Sequence, residues 1–578
     1  MNLKKSQRLL NVFGFLFLLC GVFSLAVFIP YIREMLIGFA ELFLHREINH
    51  QLWNEKLLTF ELSFLILFLP IVFVSFSKNY EKINSLFNSK VFAWSIIAFS
   101  FVLMIVSACM SKDIWLDETF SLGLARHNAK ELISLTAKDV HPPLYYLFLR
   151  IAMILFPNSI GAAKIVSVVP LILIMIISLF FFSKNFTLHL TNIFNLLLAS
   201  VYTVLLYSIE IRMYSWAMLF CMICLVSSYY MVKKGDFKYF LVYILSAECG
   251  AYTQYWTAVA LAINFILVSA LCFYNDKKSF KKILLSALIG IALFLPWLQV
   301  LLSQMSKTFD SYWIEPITFL TFVRYFLFIT PLKGISKLLF LFFTLILFIA
   351  SVRKIREGKT ANTFSLVCLT TPVLLILSAT LISFLFRPVF IERYAVPSIV
   401  FFIYFIVFSI NTFFENETEN KDLFTIKNAK TKIVCALEII VLFSSVFNFV
   451  LLIRSEHKLS VEEKSFSKMM KENLRDDTVF IISKNAVEKS SHIPRCIAYS
   501  YPSYRIYNQE IPELWTSAYF YDRKNLINNI DNEKNLCLVL NTDEEVPNAP
   551  AINSFSTAKC EIESLSIYGK LKFCFLSK

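Results

Sequence analysis

Charge is scarce in this sequence. Only 17% of its 578 residues are Asp, Glu, Lys or Arg, against about 25% in soluble domains, which excludes an ordinary water-soluble protein. Internal repeats are missing, and low complexity is confined to the polar run 415–422. No cleavable leader is expected either. The first apolar run, 9–29, follows Lys4, Lys5 and Arg8, but it is too long for a signal-peptide core and lacks a small-residue cleavage site. It therefore reads as a retained helix.

Apolar residues are abundant: 57% of the chain is hydrophobic, with 60 Phe. Segment after segment reaches about 18–20 apolar residues, enough to cross a hydrocarbon core about 30 Å thick. The fold class is a polytopic α-helical membrane protein. The net charge of +14 does not indicate nucleic acid, because the Lys and Arg residues sit in short clusters between apolar runs, as the positive-inside bias dictates. Of the 12 cysteines, eight lie in or beside apolar helices. The Cys221/Cys224 spacing inside such a helix reads as packing rather than as metal or redox chemistry. Cys496, Cys537, Cys560 and Cys574 fall in a polar tail and permit disulfides without specifying them.

Thirteen crossings are predicted, at about 9–29, 57–77, 91–110, 162–182, 188–208, 214–232, 238–255, 256–274, 283–302, 336–352, 363–386, 394–412 and 433–453. The basic connections 78–90, 233–238, 277–282, 353–359 and 421–432 all fall on the cytoplasmic side if the N-terminus does. The opposite face then receives Asp117 to His141, Glu210 to Tyr214, Gln254-Tyr255, Tyr312 to Glu315 and Arg387 to Tyr394. Residues 142–156 and 317–330 are too short or too charged to cross and read as interfacial helices. Residues 1–90 hold two extra N-terminal helices, and 91–454 form the main membrane domain with an outer loop at 111–142. Residues 455–578 form a small extracytoplasmic α/β domain, its short apolar runs 479–482 and 536–540 reading as strands.

Polar motifs collect on the outer face. Asp117-Glu118 follows a crossing and suits a general base, an acceptor-hydroxyl ligand or a metal-ligand pair; a solvated helix cap is the plainer alternative. His141-Pro142-Pro143 starts an apolar helix, the prolines suiting its first turn, with a surface histidine as the alternative. Glu210-Ile211-Arg212 with Tyr214 is costly near membrane depth unless it is paired or lines a polar cavity. Arg393-Tyr394, with Arg387 nearby, offers donors matched to phosphate or else a snorkelling cation. Tyr255 and Trp313 fit either a substrate site or an aromatic belt. Lys164 and His189 read as cytoplasmic-side or packing residues.

The order Asp-Glu, His-Pro-Pro-Leu, Tyr-Ser-x-Glu-x-Arg-Met-Tyr, Trp-Ile-x-Pro, Arg-Tyr-x-x-Pro resembles bacterial members of the dolichyl-phosphate-mannose protein mannosyltransferase-like group, relatives of the aminoarabinose lipid A transferases. The resemblance spans roughly residues 91–410. It departs at Gln254-Tyr255, where the family often has His-Tyr, and in the two helices that precede the first family helix.

This resemblance implies a C-type glycosyltransferase fold and transfer of a sugar from a polyprenyl-phosphate donor to an acceptor hydroxyl on protein, lipid or envelope glycan. Asp117 would be the catalytic carboxylate and Glu118 its neighbour. His141, Arg212, Arg393 and Tyr394 would bind the donor phosphate, and Glu210, Tyr214, Tyr255 and Trp313 the substrates. No cofactor is expected, nor a metal, since the donor lacks a diphosphate. A flippase for lipid-linked sugars, or a polymerase or ligase using lipid-diphosphate donors, are the competing readings. The absence of repeats and the one-sided placement of polar residues argue against a transporter.

Overall fold

The structure is a computed structural model. Apart from isolated positions, it describes residues 80–110, 114–307, 314–331, 336–355, 360–415 and 423–473, and in the tail 478–482, 505–507, 535–546, 555–565 and 569–578. The crossings expected at 9–29 and 57–77, and Trp313, lie outside the described residues.

Among the described residues, eight helices are long and apolar enough to cross a membrane: Lys90–Met110, Ile160–Asn185, Tyr214–Lys234, Tyr255–Asn275, Ser279–Ser306, Thr363–Leu385, Glu392–Ile410 and Cys435–Leu459. Each falls on a crossing expected from the sequence, because an uninterrupted apolar run is what such a helix requires. The expected 238–255 and 336–352 are helices Phe237–Ala251 and Ser336–Ile355.

One expectation needs correction. Residues 188–208 are not one straight helix but two, Leu188–Ala199 and Tyr202–Tyr207. Breaking a helix in an apolar interior strands backbone groups that water cannot reach. Here the Asn448 side chain donates to the Ser200 carbonyl at 2.6 Å, while the Ser200 N–H closes back on the carbonyls of Leu196 and Leu197. A side chain from a distant helix thus sustains the break.

The helix after the two prolines spans Leu144–Leu155, 12 residues or about 18 Å, too short to cross. It buries Tyr145, Tyr146, Leu149 and Met153 and exposes Ile151, Ile154 and Leu155, the two-faced pattern of an interfacial helix. Its first N–H donates to the Tyr252 carbonyl at 2.9 Å, which pins its start to the end of Phe237–Ala251. A second short apolar helix, Phe319–Phe328, exposes Phe319 and Leu320. The expected outer loop 111–142 contains helices Leu116–Arg126 and Ala129–Lys138.

The last helix, Leu423–Asn473, has 51 residues, about 77 Å of rise. It leads into a five-stranded sheet of β1 (Thr478–Ile482), β2 (Arg505–Tyr507), β3 (Asn535–Asn541), β4 (Ser556–Leu565) and β5 (Gly569–Ser577). The order is β2-β1-β3-β5-β4, parallel among the first three and antiparallel through β5 and β4. Leu536 to Leu540 are all buried, as a strand covered on both faces requires. Cys560 and Cys574, directly paired on β4 and β5, form a disulfide.

Candidate active site

The first turn of Leu116–Arg126 sets the site. Trp115, extended, precedes it, and Glu118 reaches back so that Oε2 accepts the Trp115 N–H at 3.1 Å. Its other oxygen, Oε1, accepts the Ile211 N–H at 2.8 Å. Glu118 is therefore buried and doubly bonded to backbone, riveting the acidic helix to segment 208–214. Burial raises its pKa, against the opposing pull of Lys164 and the two N–H groups.

Adjacent helical residues point about 100° apart, so with Glu118 turned inward Asp117 faces the partly open side. Its Oδ2 lies 3.0 Å from the Arg393 guanidinium and 3.9 Å from that of Arg212. Arg393 also lies over the Trp115 ring, 5.1 Å from its centroid, a cation–π arrangement. It sits on the 3₁₀ segment Glu392–Ser398, whose Ala395, Val396, Pro397 and Ser398 are buried, so this cation is carried by a rigid support.

Arg212 is 1% exposed, which demands partners, because an unpaired buried charge is costly. Its Nη1 donates to the Asp117 carbonyl at 3.2 Å, to Ser121 Oγ at 3.2 Å and to the Tyr146 hydroxyl at 3.4 Å. Its Nη2 lies 3.1 Å from His141 Nε2. The other ring nitrogen, Nδ1, lies 2.7 Å from Asp139 Oδ2. Burial works to raise Asp139, but His141, the Val140 N–H and then Arg212 outweigh it and hold Asp139 below the ordinary carboxylate range.

Four buried polar atoms around this group have no hydrogen-bond partner among the described residues: Trp115 Nε1, the Tyr214 hydroxyl, Arg212 Nε and Glu210 Oε2. Burial, and then the nearby Glu118, push the Glu210 carboxyl well above its usual range. Tyr394 is partly buried and packs against the same cluster. Tyr255 is engaged elsewhere. Its hydroxyl donates to Gln304 Oε1 at 2.6 Å and accepts from Trp297 Nε1 at 2.8 Å, and Gln304 reaches the Thr136 carbonyl at 2.8 Å. This is a strut between helix Ala129–Lys138 and the bundle.

Asp117, Glu118, His141, Glu210, Arg212, Tyr214, Arg393 and Tyr394 thus come together from four separate stretches of chain. Sequence reasoning missed Asp139, Ser121 and Tyr146; only the Asp-x-His spacing before the prolines hinted at the first. Lys164, read as a cytoplasmic-side or packing residue, instead forms a buried ion pair with Glu456 at 3.2 Å within electrostatic reach of Glu118. Among the described residues no cluster of three or more His, Cys, Asp or Glu side chains is arranged to hold a metal.

No protein-family model matches the sequence, and neither does any curated protein. In fold the chain is similar to ArnT from Cupriavidus metallidurans. One crystal structure of ArnT, in the apo state, matches at TM-score 0.56 and 11% identity. Another, bound to undecaprenyl phosphate, matches at TM-score 0.57 and 9% identity. Each match covers 84% of this chain and 98% of the other. The protein is a polytopic helical membrane protein with the C-type glycosyltransferase fold.

Proposed function

We propose that the protein is a glycosyltransferase that moves a sugar from a polyprenyl-phosphate donor to an acceptor hydroxyl on the outer face of the cell membrane. The observation that carries this reading is Asp117, a carboxylate set between two guanidinium groups and flanked by buried donors that lack an acceptor.

Asp117 takes the proton of the acceptor hydroxyl, whose oxygen attacks the anomeric carbon while the bond from that carbon to the phosphate oxygen breaks. A single displacement of this kind inverts the anomeric centre. The negative charge that grows on the departing polyprenyl phosphate meets Arg212 and Arg393, with the Trp115 indole Nε1–H and the Tyr214 hydroxyl as neutral donors. Fixed charge of this sort is commonly the largest catalytic term. The two arginines supply the positive charge that a metal would otherwise bring, so the proposed reaction is metal-independent.

Glu118 holds Asp117 in place through backbone bonds. Glu210, His141 and Tyr394 shape the surrounding wall. The ArnT structure with undecaprenyl phosphate supports the donor class. The Cys560–Cys574 disulfide supports an oxidising, extracytoplasmic side for the tail. The test is sugar transfer from purified polyprenyl-phosphate sugar by membranes carrying wild-type or D117N protein; equal transfer in the two sinks the assignment.

A further inference from the structure

Asp139 has no part in the chemistry described above, yet it lies half-buried beside the site and makes one of its shortest contacts. Its Oδ2 lies 2.7 Å from His141 Nδ1, and the opposite ring nitrogen lies 3.1 Å from Arg212 Nη2. An arginine can only donate. His141 Nε2 must therefore present a lone pair to Arg212, and the single ring proton must sit on Nδ1. Ionised Asp139 accepts that proton's hydrogen bond and disfavours the other tautomer, which would set an N–H against an N–H.

We infer that Asp139 is a positioning residue for the transfer reaction, acting through His141 to fix the direction of Arg212. The inference rests on the proposed function and adds a division of labour to it. With both ring nitrogens engaged, His141 is an aiming device rather than an acid or base. Arg212 then stands with Nη1 on Ser121, Tyr146 and the Asp117 carbonyl and Nη2 on His141. Its Nε is left as the donor without a protein acceptor among the described residues. Tilting the guanidinium would disturb the backbone of the very residue proposed as base.

A double-mutant cycle in the full-length protein tests this, read by kcat/KM for the polyprenyl-phosphate sugar and, in parallel, by affinity for polyprenyl phosphate alone. D139L is expected to lower both about 10- to 100-fold, the range for a hydrogen bond that orients a charged group. D139N keeps an acceptor oxygen for Nδ1–H and should lose less than about tenfold. In H141Q the amide oxygen supplies an acceptor toward Arg212 with no ring tautomer to set, so D139L added to H141Q should cost less than about twofold further. The affinity measurement reads the cycle even where turnover is low. An equal loss from D139L in the His141 and H141Q backgrounds, or equal loss from D139N and D139L, overturns the inference. Absence of transfer by the wild-type protein counts against the proposed function instead, and the affinity cycle still judges the role of Asp139.

Discussion

Arg393, in the first turn of a nearly wholly enclosed helix, closes on Asp117 at 3.0 Å. The two residues lie far apart in sequence and meet where neither is fully covered. The pair occupies the place where a phosphate would compete with the carboxylate for the same guanidinium. D117N should therefore separate binding from chemistry. Transfer should fall about 10²–10⁴-fold, the usual contribution of a general base. Affinity for polyprenyl phosphate should hold or rise, because Arg393 loses its internal anion. Turnover and lipid-phosphate binding measured on the same preparation check this; a parallel loss of binding would place Asp117 in donor recognition instead.

Arg393 and Arg212 should differ when replaced. Arg393 is the more exposed cation and pairs with the Asp117 carboxylate, so R393A should chiefly raise the donor KM, and R393K should restore part of the loss as a point charge. Arg212 makes four directed hydrogen bonds from one planar group. R212K cannot reproduce that fork and should lower kcat as well, while leaving Ser121 and Tyr146 without their charged partner. Steady-state kinetics with varied donor distinguish the two patterns, and a fully rescuing R212K would refute the fork argument.

Most of the bundle was legible because the bilayer imposes a length on apolar runs. The break at Ser200 was not, since it depends on Asn448 from a helix at the far end of the chain. The site shows the same limit. Asp117 and Glu118 look equivalent on paper, and only the Ile211 N–H, delivered by a distant segment, turns Glu118 inward and leaves Asp117 facing the arginines. Asp139 and Lys164 were hidden for a related reason: each becomes meaningful only through the partner that folding brings to it, His141 and Glu456 respectively. The clustering of acids and arginines was readable because charge is so rare in this chain that its positions carry information.

Glu118 should reveal itself through stability rather than turnover alone. Its two oxygens accept two backbone N–H groups. In E118Q one oxygen becomes an NH₂ that meets an N–H, at a cost of about 1–3 kcal/mol for the unsatisfied group. The pH dependence has a definite sign. Burial raises the carboxyl from 4.5 in the folded protein, so below that value both states are protonated and nothing changes. Above it the unfolded chain ionises first, the folded state holds the extra proton, and stability falls as pH rises until the folded carboxyl ionises too. Thermal unfolding in detergent across that window should show this decline in wild type and a shallower one in E118Q.

The proposed charge balance also bears on metal dependence. Two guanidinium groups face a leaving phosphate monoester, so transfer should be unaffected by EDTA and unstimulated by added Mg²⁺ or Mn²⁺ once donor and acceptor are purified. A loss of activity on chelation that a divalent cation restores would contradict the assignment of Arg212 and Arg393 as the sole counter-charge.

The Lys164–Glu456 pair ties the helix Ile160–Asn185, which flanks the acidic first turn, to the long helix that leads into the sheet. Both side chains are about 95% covered, with exposures of 4% and 5%, so the pair is screened little by solvent. Burying two charges is expensive, and their attraction roughly repays it, but removing one partner leaves the other stranded. K164M alone should thus cost about 3–5 kcal/mol, whereas K164M/E456L should recover most of that loss or exceed wild type. Glu118 also loses a compensating positive charge in K164M, and removing the opposing, smaller influence of Glu456 in the double variant restores only part of the balance, so transfer should remain reduced even where stability returns. Thermal unfolding in detergent, read beside transfer rates of the single and double variants, resolves the two effects. Full recovery of both together would mean that Lys164 serves packing alone.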